Sequence, residues 1–122
     1  MFEDYTSTIR EFLSGPHAEA REWLQSGEGN KRRLIEHRST AQSLEVVERL
    51  YSLGAERVLA VGLGEDSLGQ SWCRYLLVEL PDEPRRREAL FAFEREHAEA
   101  TGFDATPDEG QLYLFLDVKG LG

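Results

Sequence analysis

From Arg57 to Leu63 the chain reads RVLAVGL, in which every residue after the arginine is apolar or glycine. A run of this length without polar alternation predicts a strand buried on both faces, and therefore one at the centre of a sheet. A polar loop with two glycines, Gly64 to Gly69, follows, and Trp72 to Leu80 (WCRYLLVEL) returns as a second strand. The pair reads as an antiparallel hairpin. Its apolar faces need helices over them and its edges need strands beside them.

The flanking sequence supplies both. Arg33 to Arg38 (RLIEHR) reads as a short strand, and Ser39-Thr40-Ala41-Gln42 is a Ser-x-x-Gln capping box that opens a helix. That helix runs to Leu53 with Leu44, Val47, Leu50 and Tyr51 on one face, and Gly54 stands where a left-handed cap is expected. After the hairpin, Pro81 to Pro84 stops the strand and opens a second helix, with Asp82 as the expected cap. Leu90, Phe93, His97 and Ala100 or Thr101 mark its expected buried side, and Gly102 ends it. Gln111 to Val118 (QLYLFLDV) closes the pattern, with Leu112, Leu114 and Leu116 alternating against Tyr113, Phe115 and Asp117.

The resulting order, βαββαβ, predicts an α+β protein with the ferredoxin-like arrangement: a four-stranded antiparallel sheet with both helices on one face. Residues 31–122 form this domain, and residues 1–30 form a helical extension packing on it. In the extension Phe2, Tyr5, Ile9, Phe12 and Leu13 recur at helical steps, Ser14-Gly15-Pro16 interrupts, and a second short helix runs from Pro16 to Gln25 with Ala20, Trp23 and Leu24 inward. Such short helices are marginal alone. They are expected to cover the sheet's second face, in their own chain or in another copy.

Twenty-three acidic residues against fourteen basic ones give a net charge of -9, which disfavours nucleic acid and anionic membrane surfaces as partners. No run approaches the roughly 18 apolar residues of a membrane span, and the first residues lack the basic and apolar regions of a signal peptide. Cys73 is the only cysteine, which excludes an intramolecular disulfide and points to a cytoplasmic setting.

Chemical motifs are incomplete. Gly62 to Gly69 lacks both the Gly-x-Gly-x-x-Gly spacing and a Gly-Lys-Ser/Thr end, and it leads into a strand. Glu94-x-x-His97 has the step of a carboxylate metal site without the facing glutamates, and His17-Ala18-Glu19 lacks the cysteine pair that zinc deaminases need. Cys73 has no second cysteine and reads as a packed thiol, so no metal or cofactor is expected. Arg85, Arg86 and Arg87 crowd a first helical turn, where free N–H groups could help hold an anion, but Glu83 and Glu88 offer ordinary pairing.

Three functions remain in view. The first is a non-enzymatic interaction module binding a protein partner or a second copy. The second is an enzyme or small-ligand binder with Glu36, His37, Arg85 and His97 around a cleft between the N-terminal helices and the sheet. The third is an acidic inhibitor of a basic partner.

Overall fold

The computed structural model describes residues 3–27, 31–34, 39–100, 102 and 105–118. Two nine-residue strands, β3 (Arg57–Glu65) and β4 (Ser71–Glu79), form the antiparallel hairpin at its centre. Their register runs from Arg57 opposite Glu79 to Glu65 opposite Ser71. Around them the order is α1 (Glu3–Ser14), β1 (Ala18–Glu19), α2 (Ala20–Gln25), β2 (Arg32–Leu34) and α3 (Thr40–Leu53) before the hairpin, then α4 (Pro84–Ala100) and β5 (Tyr113–Asp117) after it.

The outer edge of β4 is shared between two short strands. Parallel β2 takes Ser71 to Cys73, and antiparallel β5 takes Tyr75 to Glu79. On the opposite side β3 pairs with β1 through Leu59 and Ala60. The result is an open, mostly antiparallel five-stranded sheet in a mixed α/β protein. It departs from a four-stranded antiparallel sheet in two respects: an additional two-residue strand lies on β3, and the β2–β4 pair is parallel. Arg33 and Leu34 lie on β2, whereas 35–38 of the expected first strand lie outside the described residues.

Both faces of the hairpin are covered, by different helices. Val58, Ala60, Leu76 and Val78 join Leu114 and Leu116 of β5 in a core with Trp23 and Leu24 of α2, Val47 and Leu50 of α3, and Leu90 and Phe91 of α4. On the reverse face Leu59, Val61 and Leu77 meet Ile9, Phe12 and Leu13 of α1, with Tyr75, Tyr113 and Phe115. The two N-terminal helices therefore part company: the chain passes the sheet edge through β1, leaving α1 and α2 on opposite sides. Leu24 is 1% exposed, whereas the α1 contacts Ile9, Phe12 and Leu13 are all half-buried. A fully buried leucine contributes about 1.5–3 kcal/mol, so α2 is the better anchored of the two. The α1 side leans on an aromatic group in which the Tyr75 and Phe115 rings lie 4.9 Å apart and Phe12 lies 5.3 Å from Tyr75.

Polar bonds fasten α2 to the β3 edge. The Glu19 carboxylate caps α2 by accepting from the Arg21 and Glu22 N–H groups, and it also accepts the Tyr51 hydroxyl at 2.5 Å. The Tyr51 oxygen in turn accepts the Val58 N–H at 3.0 Å, so one side chain of α3 satisfies both a helix cap and a strand edge. Burial, together with its bond to Glu19, pushes the Tyr51 hydroxyl pKa up.

Three details differ from the sequence pattern. In α4 the buried residues are Leu90, Phe91, Glu94 and Ala98, so the buried face is rotated from the expected stripe of Leu90, Phe93, His97 and Ala100 or Thr101: Phe93 and His97 sit at its margin, Ala100 is exposed, and Thr101 lies outside the described residues. The cap of α4 is Glu83, whose two oxygens accept from the Arg85 and Arg86 N–H groups, rather than Asp82. Leu112 is 58% exposed because β5 begins one residue later; its carbonyl still accepts the Leu80 N–H.

The hairpin also changes face partway along. Strand alternation would place Leu63 and Cys73 with Val61 and Leu77, yet both pack into the opposite core. The switch falls at Gly62, whose φ is +63°, and ladder pairing skips the Gly62 and Arg74 position. A β-carbon at Gly62 would stand 2.9 Å from the Tyr75 ring. Replacing Gly62 with alanine is predicted to lower stability by about 1–3 kcal/mol in denaturant melts, from backbone strain plus this contact. Gly69→Ala, also at positive φ but with open space around it, should cost only about 1–2 kcal/mol. Equal losses at the two positions would contradict the role given to Tyr75.

Candidate functional site

The concave feature that carries functional candidates lies between α3 and α4. Thr40 to Leu53 is helical because Ser39 caps it, its side chain accepting the Gln42 N–H at 3.1 Å, and because Gly54 closes it in the left-handed conformation. Ser43, Val47 and Leu50 turn into the core, which leaves Val46 half-buried toward α4. On α4, Leu90 and Phe91 go inward and Phe93 stays half-buried. The groove between them has a volume of about 390 Å³ and is open to solvent. Val46, Phe93 and Ala100 form its apolar lining, and Glu45, Arg49, Glu96 and His97 its polar lining. Among the described residues Glu45, Arg49 and Glu96 form no ion pair.

His97 is positioned by β5. Its Nε2 lies 2.7 Å from the Asp117 carbonyl oxygen, which can only accept, so Nε2 carries the proton in that contact. That nitrogen is thereby committed to holding the end of α4 against the sheet. The other candidates from the sequence do not gather here. Arg85 is exposed at the opposite end of α4, twelve residues and about 18 Å along the helix from His97. Glu36 and His37 lie outside the described residues.

The arginine cluster at the start of α4 separates into distinct roles. The free N–H groups that could have served an anion are occupied by Glu83. Arg87 is the structural member: its guanidinium donates to both Asp108 oxygens at 2.7 and 3.2 Å, to the Pro81 carbonyl at 3.2 Å and to the Gln111 carbonyl at 3.1 Å. It ties the start of α4 to the segment entering β5. Nearby, the Glu94 carboxylate, though buried, accepts from the N–H and hydroxyl of Thr106 and holds the same segment against α4.

Cys73 is fully buried, with its sulfur 3.0 Å from the Tyr75 carbonyl and 3.4 Å from that of Val61. Burial pushes its pKa up to about 12, which leaves almost no thiolate at neutral pH. The thiol is a packing element at the face switch rather than a nucleophile. Among the described residues no group of three potential metal ligands gathers, and no helix is long and apolar enough to cross a membrane.

The groove residues Val46, Arg49, Phe93 and Glu45 were not singled out by sequence as a site. Val46 and Phe93 carry one signal: an apolar residue beside the buried stripe on each of two helices, at a position the core does not fully enclose. Compared with family models, curated proteins and solved structures, the chain matches none. The class is therefore stated from its architecture: a mixed α/β protein with an open five-stranded sheet covered on both faces.

Arg87→Ala is predicted to lower stability by about 2–3 kcal/mol near neutral pH, because it removes the guanidinium donor to two backbone carbonyls and leaves Asp108 with the Gly110 N–H but no cation. Arg85→Ala should be close to neutral. Arg87 holds the Asp108 carboxyl below its usual pKa, so this ion pair stabilises the fold above pH ~4 and is lost as the pH falls through the lower folded-state value. Asp108 is 43% exposed, and solvent screening keeps the charge part small. Melts of both variants from neutral to acid pH check this; a pH-independent Arg87→Ala loss would contradict the ion-pair contribution.

Proposed function

We propose that the chain is a non-enzymatic protein-interaction module whose contact surface is the outer side of α3 and α4. The observation that carries this reading is the α3–α4 groove itself: half-buried Val46 and Phe93 with charges of both signs around them, open rather than enclosed. Small-molecule sites are concave pockets that bury most of their ligand, and open apolar strips with charged rims suit a protein surface better. Among the described residues the lining holds no serine, threonine or cysteine nucleophile, and its histidine has a nitrogen committed to a backbone carbonyl.

The proposed setting is cytoplasmic, consistent with a single buried thiol, and the proposed partner is a protein rather than nucleic acid, consistent with the net charge of -9. We read the fold in the same light. The order β2, α3, β3, β4, α4, β5 within residues 31–122 is the βαββαβ order of a ferredoxin-like sheet, with a short first strand that leaves β5 room beside β4.

The test is affinity capture from the protein's native cells with mass spectrometry, comparing the unaltered chain with Val46→Glu and with Arg85→Ala as control. A partner retained by the unaltered chain and by Arg85→Ala, but lost with Val46→Glu while the fold is intact by circular dichroism, is the expected result. An identical set of captured proteins with all three baits would overturn the choice of surface.

A further inference from the structure

We infer that the α3–α4 face takes a second copy of this chain, with α3 lying antiparallel to its symmetry mate across a two-fold axis. The inference rests on the interaction reading above and names its partner.

Two features of α3 carry it. First, the helix has an apolar strip besides the one it buries. Val47 and Leu50 are enclosed in the core, whereas Val46 and Leu53, seven residues apart, are half-buried at its margin. Seven residues are two helical turns, so Val46 and Leu53 share a side of the helix, and Arg49 stands between them. This is the spacing of a helix seam.

Second, the charges bordering the strip complement themselves. Glu45 and Arg49 are exposed and one turn apart, and neither forms an ion pair among the described residues. In a two-fold contact each residue meets its counterpart's partner. An antiparallel pair of α3 helices centred at the level of Val47 sets Glu45 against Arg49 of the other copy and Arg49 against its Glu45. Both unpaired charges are answered twice over, and Val46 comes within a turn of its own mate. A parallel pairing would instead set Glu45 against Glu45 and Arg49 against Arg49. The net charge of -9 per chain opposes self-association at long range, so added salt should strengthen approach while weakening the two ion pairs.

A contact built on one 14-residue helix is small, so the dimer should form reversibly at micromolar or higher concentration. The experiment is sedimentation equilibrium of the purified chain from about 1 μM to about 1 mM, with Glu45→Arg, Arg49→Glu and the double exchange. The unaltered chain should pass from monomer to dimer. Each single variant should weaken association at least about tenfold, since two attractive pairs become repulsive, and the double exchange should bring it back to within about threefold. Both positions are exposed side chains, and melting temperatures confirm that each variant is folded.

A chain that stays monomeric throughout overturns the inference, as do single variants that dimerise normally or a double exchange that fails to restore association. If the chain is monomeric yet Val46→Glu still loses a captured protein, the second copy is excluded and the interaction reading stands. If it dimerises as described and captures nothing else, the second copy is the partner.

Discussion

The antiparallel pairing of Arg57–Glu65 with Ser71–Glu79 is the constraint on which the remaining structure depends. Among the described residues every other strand is attached to one of these two, and each helix contributes side chains to a core that they help to form. Alternation along both strands gives the hairpin a core on each face, and the change of face at Gly62 and Arg74 reassigns the residues beyond it. Leu59, Val61 and Leu77 belong to the α1 side, and Leu63 and Cys73 to the helical layer. The glycine at the switch and the buried thiol next to it have the same explanation, which is why neither reads as chemistry.

Helix anchoring follows from this division. The layer of α2, α3 and α4 rests on fully enclosed leucines and valines and is fastened at the β3 edge through Glu19, Tyr51 and Val58. The α1 layer rests on half-buried aromatic rings. In α3 and α4 the same packing that encloses Val47, Leu50, Leu90 and Phe91 leaves Val46 and Phe93 between the helices. The groove is thus a by-product of how the core is filled, and the charges of Glu45, Arg49 and Glu96 give it a distinct chemical character.

Much of this was legible in the sequence because it depends on local pattern. RVLAVGL and WCRYLLVEL declare buried strands by composition, and Ser39 with Gly54 marks the ends of α3. What was not legible depends on distant contacts. A two-residue strand such as Ala18–Glu19 has no period to read, so nothing in the sequence separates α1 from α2 by face. Glu94 falls outside the stripe expected to be buried, and its burial depends on the donors that distant Thr106 supplies. Leu112 continues the alternation of the last strand, but pattern does not show where the strand begins. A glycine inside RVLAVGL signals an irregularity without giving its positive φ. Of the candidate site, His97 was identifiable by residue type. Val46, Arg49 and Phe93 were not, since a groove arises from two helices together.

Native-state hydrogen exchange, followed amide by amide, tests the dependence on the hairpin most directly. Amides of Val58 to Val61 and Tyr75 to Val78 should exchange only through global unfolding, α2 and α3 should approach the same protection, and α1 should open at lower free energy. Equal protection of α1 and the hairpin, or faster exchange in β3 and β4 than in α3, would contradict that dependence.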